Sequence, residues 1–243
     1  MLFKKSIIQL LGSLALLAGV VACGEENNIM RNQVNASGAR VKIIHAVVDG
    51  PAVDIFANNA KINGLPLNYG NPFPTEYLVV APGTVNLRVA TPVSGTGVAT
   101  TILTTPVPLE NDKYYTIAAT GSSTAPVGIL INDDLSVPDP AKNYIRVLNL
   151  LTTGQALDLA IGTAAPIISN VAPRTASAYV AVDPNASTAP YALQARLTST
   201  TTVTGATVNF STLNLGRKYT IIIRGAVGRT GTAAPTLSQV TNK

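Results

Sequence analysis

From residue 39 onward, apolar and polar positions alternate with a period of two. Val53 and Ile55 flank Asp54, Leu87 and Val89 alternate with Asn86 and Arg88, and Tyr115 and Ile117 flank Thr116. Successive side chains of a β-strand point to opposite faces, so each such run offers one apolar face to a core. Gly, Pro, Asn and Asp break the runs roughly every 8–12 residues, the spacing of β-sandwiches. The first half of the chain is thereby expected to form strands near 40–46, 52–57, 65–69, 76–80, 84–90, 98–104, 113–120 and 126–131. No long apolar run at helical spacing occurs past residue 25. The pattern describes antiparallel sheets packed face to face.

The same pattern is written twice. RVKIIHAVVDGPAVDIFANN (40–59) returns as YIRVLNLLTTGQALDLAIGT (144–163), with Gly50 recurring as Gly154 and Asp54 as Asp158, each 104 positions on. LENDKYYTIAATG (109–121) returns at the same offset as LNLGRKYTIIIRG (213–225), and YLVVAPG (77–83) returns at 102 as YVAVDPN (179–185). An offset that slips and recovers marks loops of changed length between matching strands. Two domains follow, 39–135 and 143–243, joined by a linker, 136–142, that two prolines stiffen. Leu109 precedes Tyr115 by six residues, and Leu213 precedes Tyr219 by six. Fibronectin-like and immunoglobulin-like sandwiches often carry a leucine at that spacing before a corner tyrosine, whose hydroxyl bonds back to the backbone. Tyr115 and Tyr219 are therefore expected to be structural corners.

Composition adds location to this picture. Charged residues make up 12% of the chain, against about 25% in ordinary globular proteins. The formal charge of +5 comes from singly scattered Lys and Arg. It reflects a shortage of acids, so no nucleic-acid partner is expected. The sole cysteine, Cys23, excludes an intrachain disulfide and leaves stability to burial. Lys4 and Lys5 precede an apolar stretch, Ile7 to Val21, that closes on Val20-Val21-Ala22-Cys23. This has the shape of a secretory leader. Its end resembles the bacterial lipobox, with Val20 where leucine is commoner. The resemblance implies a leader, 1–22, cut before a lipidated Cys23, and a flexible tether over 23–38 that spans on the order of 20 Å. Gly24 after the cysteine resembles lipoproteins sent to the outer membrane. Glu25-Glu26 resembles the export tag of some surface-displayed Bacteroidetes lipoproteins; solvated tether charge is the other reading, so surface display stays open. The expected partner at this end is the membrane, through the lipid anchor. The expected fold class is all-β, with two tandem immunoglobulin-like antiparallel β-sandwich domains after a lipoprotein signal peptide.

Arg40-Val41 with His45-Ala46, Pro51-Ala52-Val53-Asp54-Ile55, Tyr69-Gly70, and Tyr77 with Pro82-Gly83 together resemble the domain-of-unknown-function family DUF4397. The resemblance implies an exported bacterial protein, often tandem and often lipid-anchored, and carries no activity. It covers nearly all of the first copy. In the second, Asn149 stands for His45, Gln155 for Pro51, and Pro184-Asn185 for Pro82-Gly83.

Little in the chain points to catalysis. His45 is the only imidazole, and Asp49 and Asp54 are near it in sequence, but no nucleophile elbow accompanies them. His45 is expected to be a strand-end residue whose ring packs or bonds a turn, and no catalytic residue is assigned. Zinc needs three or four His or Cys ligands, which the chain lacks. Asp133 and Asp134 with Asp139 are a calcium candidate, a solvated acidic linker being the alternative. Tyr69, Phe73 and Tyr77 are the densest aromatic group and the ligand-binding candidate. Asp54 and Asp158 are expected on the outward face, as strand or turn contacts. No cofactor is expected. The leading functional expectation is a non-catalytic adhesion or interaction module that meets a protein or glycan at the cell envelope. Two others stay open: a carbohydrate-binding accessory or glycosidase-like protein, in which two of Asp49, Asp54 and Glu76 would face each other about 5–10 Å apart, and a structural envelope spacer. Cys23→Ser is expected to move the protein from the membrane to the soluble fraction; continued membrane retention would count against lipidation.

Overall fold

The computed structural model describes residues 37–243 except 94, 153, 186–188, 206 and 212–213, so Cys23, the leader and the tether up to residue 36 lie outside the described residues. Alternating β-branched and polar residues give strands throughout. Among the described residues there is no α-helix, and one 3-10 turn, Gly231–Ala233. The first repeat forms β1 (Ala39–His45), β2 (Asp54–Ala57), β3 (Ala60–Lys61), β4 (Pro72–Val80), β5 (Gly83–Ala90), β6 (Thr101–Leu109), β7 (Tyr114–Ser122) and β8 (Ala125–Asn132). They make two sheets, ordered β4-β1-β7-β8 and β3-β2-β5-β6. The second repeat forms β9 (Asn143–Leu151), β10 (Leu157–Ile161), β11 (Pro166–Val171), β12 (Thr175–Ala176), β13 (Val180–Val182), β14 (Tyr191–Leu197), β15 (Val208–Phe210), β16 (Lys218–Gly225) and β17 (Thr236–Thr241). Its sheets, β12-β9-β16-β17 and β11-β10-β14-β15, repeat the same order, with β12 and β13 sharing the place of β4.

Each repeat is a sandwich with its own core. Val41, Ile43, Tyr115 and Ile117 of one sheet meet Val53, Ile55, Leu87 and Val107 of the other. In the second repeat Ile145, Val147, Ile221 and Ile223 meet Leu157, Leu159, Leu193 and Phe210. The expectation of purely antiparallel sheets fails in one sheet of each repeat. β1 runs parallel to β7, and β9 runs parallel to β16. These central strands are buried on both faces, and burial on both faces replaces strict alternation by nearly continuous apolar runs. The runs in NYIRVLNLL and KYTIIIRG are of this kind, and all but one of their residues are buried.

What buries the second face is the other repeat. Ile44, Ala46 and Ala118 pack against Leu148, Leu150, Ile222 and Val240, so the molecule is four layers of sheet with three apolar seams. Each fully buried Leu or Ile here contributes about 1.5–3 kcal/mol relative to exposure. The two faces are equivalent surfaces of the two repeats. Lys42 corresponds to Arg146, Ile44 to Leu148, Thr116 to Thr220 and Ala118 to Ile222, each 104 positions on. The contacts are reciprocal in the manner of a two-fold interface. Lys42 Nζ donates to the Thr241 carbonyl (2.5 Å), and Arg146 Nη1 to the Asn132 carbonyl (3.5 Å). Asn132 and Thr241 hold the same register, opposite Tyr115 and Tyr219. Thr116 Oγ1 donates to Asp133 Oδ2 (2.7 Å), as Thr220 Oγ1 does to Asn242 Oδ1 (2.6 Å). Arg146 and Asp133 close the seam as a buried ion pair.

The corner at Tyr115 forms: its hydroxyl accepts the Glu110 N–H at 3.0 Å. Tyr219 is buried edge-on against Phe210, centroids 5.1 Å apart, while Leu213 upstream lies outside the described residues. A second corner occurs at Tyr144, which accepts the Asp139 N–H at 2.8 Å. The expected strand at 65–69 is only a bridge from Leu67 to Val53. The strand expected at 98–104 runs on to Leu109 because β6 is an edge: Pro106 and Pro108, two apart, share the side that needs no N–H.

Removing one member of a buried ion pair leaves the other charge unpaired, at a cost of about 3–5 kcal/mol. Asp133→Asn is expected to lose that much in urea unfolding of the whole protein, which should melt in one transition. A loss under about 1 kcal/mol, the scale of an exposed pair, would show the pair to be dispensable.

Candidate functional site

The two sandwiches point the same way. Chain entry at Ser37, the Glu110–Lys113 turn, the linker and residues 241–243 gather at one end, the root, where Ser37 Oγ donates to Asn111 Oδ1 (2.8 Å) and Lys243 Nζ to the Leu135 carbonyl (3.0 Å). The loops after β1, β3, β5 and β7 and their counterparts after β9, β11, β14 and β16 gather at the other end, the tip. Thr120 Oγ1 donating to the Leu150 carbonyl (3.0 Å) and Arg229 paired with Asp49 (3.0 Å) join the repeats there.

Some of the residues that carry the family resemblance, His45, Pro51 and Tyr69-Gly70, meet at the tip, whereas Arg40, Tyr77 and Gly83 lie toward the root. His45, 1% exposed, ends β1 with Nε2 at 2.9 Å from the Pro51 carbonyl. A carbonyl only accepts, so Nε2 carries the proton and Nδ1 is a bare acceptor. The His45 carbonyl accepts the Gly70 N–H (2.7 Å), and its own N–H reaches the Asn71 carbonyl (3.3 Å). Tyr69 stands edge-on to the His45 ring, centroids 6.2 Å apart. From the second repeat, Arg224 of β16 lies with its guanidinium carbon 5.5 Å from the Tyr69 ring centre. Gly70 has φ 85°, and a Cβ there would fall 2.5 Å from Arg224 Nη2, so only glycine lets the guanidinium lie on this backbone. Arg224 Nη1 donates to Ser238 Oγ at 2.8 Å, and no carboxylate among the described residues pairs with it. Among the described residues, three of the five buried side-chain nitrogens and oxygens without a hydrogen bond, His45 Nδ1, Tyr69 Oη and Arg224 Nε, fall in this one place. Burial of that density of polar groups marks the seam at the tip as the candidate site. Burial lowers the pKa of His45, partly offset by the Pro51 carbonyl, and raises that of the Tyr69 hydroxyl.

Other candidate residues are dispersed. Phe73 packs on the first core. Tyr77 is inside the root end of the seam, where its hydroxyl donates to Asp133 Oδ2 (2.6 Å) and accepts from Asn242 Nδ2 (2.8 Å). The three aromatics therefore make no common stacking surface. Asp133 is buried and held by Arg146, Thr116 and Tyr77, so it is neither solvated nor a free ligand. Asp134 accepts from Ser136, and Asp139 Oδ1 accepts the Ala141 N–H. Among the described residues, no three His, Cys, Asp or Glu come together as a metal site. Asp54 and Asp158 turn away from the cores, yet both are buried rather than outward. Lys61 Nζ covers Asp54 at 2.9 Å, an ion contact outside hydrogen-bond geometry. Asp158 Oδ1 accepts the Asn170 N–H (2.7 Å) and the Thr198 hydroxyl (2.9 Å). Asp49 and Glu76 are exposed and separately placed, Asp49 with Arg229 at the tip and Glu76 on β4. A cleft of about 500 Å³ opens at the root, lined by Glu110, Asp112, Lys113, Tyr114, Asp134 and Leu135.

Lys42, Arg146 and Arg224 went unremarked in the sequence, although each is a cation set in an apolar strand, and Lys42 and Arg146 are in register between repeats. The family described as Domain of unknown function (DUF4397) matches residues 39–160, half of the chain. No curated protein matches the chain.

In the second repeat Asn149 takes the place of His45, and its Nδ2 donates to the Gln155 carbonyl (2.9 Å) as His45 does to Pro51. His45→Asn is thus expected to fold. The folded pKa of His45 lies below its ordinary 6.5. Between those two values the unfolded chain binds the extra proton, so stability falls as pH drops below about 6.5. Thermal melts from pH 7.5 to 5 should show this loss in the wild type and a smaller one in His45→Asn; parallel curves would refute the assignment.

Proposed function

The chain belongs to the DUF4397 family, and from that premise we propose that it is a lipid-anchored interaction module of the cell envelope that meets a protein or glycan partner through its tip. The observation that carries the reading is the common polarity of the two sandwiches. A tether leaving at Ser37 leaves from the root, and the loops of both repeats gather at the opposite end. Among the described residues, four of the five most exposed large apolar side chains, Leu65, Val93, Val98 and Val203, stand in tip loops. Loops held on a rigid scaffold are the usual place for binding residues. Tip charges are few, and Asp49 and Arg229 neutralise each other. The separate surroundings of Asp49, Asp54 and Glu76 favour binding over glycoside hydrolysis, which needs two facing carboxylates.

Lipidation of Cys23, delivery to the outer membrane and display on its outer face belong to the same reading and rest on the Lys4-Lys5 leader, the lipobox-like Val20–Cys23 segment, Gly24 and Glu25-Glu26. Kinship with the immunoglobulin class also belongs here. It rests on the Tyr115 corner rather than on strand order, because immunoglobulin sheets lack a central parallel pair.

Purified protein lacking the leader, presented to glycan arrays and to envelope extracts, is expected to bind a defined partner. Leu65→Ser/Val93→Ser/Val98→Ser should weaken that binding roughly tenfold or more, as loss of interface anchors does, without lowering the melting temperature. Undiminished binding by this variant would move the contact elsewhere, and no binding at high micromolar protein would remove the reading.

A further inference from the structure

We propose that the seam at the tip binds an oxyanion, a carboxylate or sulfate group of the partner, held by Arg224 and Tyr69 with His45 behind them as an acceptor. The inference deepens the interaction reading and rests on it for the ligand's setting.

The cations of the seam are otherwise accounted for. Arg146 has Asp133, Lys218 has Asp134, and Lys42 has the Thr241 carbonyl and the Tyr77 ring. Arg224 has one hydroxyl, Ser238, for a guanidinium with five donors. Its Nε and the Tyr69 hydroxyl are both buried without a hydrogen bond, and both are donors. The planar fork of N–H groups of Arg224 matches the lone pairs of a carboxylate or sulfate, and such charge-assisted bonds are the strong ones; Tyr69, whose ring centre lies 5.5 Å from the guanidinium carbon, brings an O–H donor to the same seam. His45 Nδ1 is the complementary group. With Nε2 committed to Pro51 it can only accept, so it suits a hydroxyl next to the anionic group, as on an acidic sugar or a hydroxy acid.

The arrangement occurs once per chain. Thr120 occupies the place of Arg224 in the first repeat, and Asn149 the place of His45 in the second. Asn149 is fully committed, its Nδ2 to Gln155 and Val171 and its Oδ1 to the Leu151 N–H. The site therefore exists only where unlike repeats meet. Gly70 is part of it, since its bare Cα is the surface on which the guanidinium rests.

Because His45 is the only histidine, its Nδ1 resonance is a single, unambiguous reporter. Purified protein would be titrated with sodium acetate, glucuronate, sulfate, phosphate and short acidic peptides at constant ionic strength, following the imidazole nitrogen shifts. A saturable shift is expected with at least one anion. Arg224→Thr, which installs the residue of the first repeat, should weaken it roughly tenfold or more, and Tyr69→Phe about fivefold. If Arg224→Thr fails to fold, Tyr69→Phe and Arg224→Lys decide, the latter keeping the charge and losing the fork. Preference for glucuronate over acetate assigns an acidic glycan; preference for acetate and short acidic peptides assigns a protein carboxylate; both support the site. A linear, non-saturating response to every anion overturns it, as does saturation unchanged in Arg224→Thr and Tyr69→Phe. Partner binding through Leu65, Val93 and Val98 would survive that failure, so the two readings fail separately.

Discussion

A β-sheet that is apolar on both faces cannot stand at a surface. This constraint organises the molecule. β1 with β7, and β9 with β16, have one face committed to their own sandwich and a second face that is nearly as apolar. Each repeat has to cover the other, and the Pro-containing linker only determines which copy is at hand. Burial of Ile44, Leu148, Leu150 and Ile222 supplies the attraction. The cations within the same faces supply the specificity, because a buried charge tolerates few partners.

The seam is graded along its length. At the root it is a closed polar network, in which Arg146, Asp133, Thr116, Tyr77, Asn242 and Thr220 each find a partner. In the middle it is apolar. At the tip the hydrogen bonding is incomplete. Polar groups that satisfy one another rigidify a structure, and those that do not are high-energy places to leave idle. The end that is closed is also the end at which the chain enters, and the end with unused donors and acceptors is the one that carries the exposed loops.

Much of the fold was legible in the sequence because period two and a repeat at constant offset report backbone geometry directly. The Tyr115 corner, the role of His45 at a strand end and the doubled sandwich all follow from local spacing. The parallel pairing of β1 with β7 was not legible, since it joins segments some seventy positions apart and no local pattern encodes direction. The seam left a trace that alternation alone conceals. Ile222 lies between Ile221 and Ile223, where a one-faced strand would have a polar residue. Asp54 and Asp158 looked outward by parity, and parity was right about the face. It could not register Lys61, Asn170 and Thr198 folding over them. The tip site was invisible for a similar reason: Arg224 and Tyr69 belong to different repeats and meet only after docking.

The difference between Asp133 and Asn242 reaches beyond the local network. These two residues hold equivalent places, each accepting from a seam threonine. Only the first can neutralise a guanidinium. Two second repeats placed face to face would set each Arg146 against the other's Asn242 and bury two positive charges with no carboxylate. The mixed pair avoids this, since the repeat that carries Arg146 meets the repeat that carries Asp133. Two equivalent surfaces would by themselves recognise each other indiscriminately. A single acid, Asp133, in one copy with the neutral Asn242 in its place in the other makes the recognition directional, so that second repeats are kept from pairing among themselves.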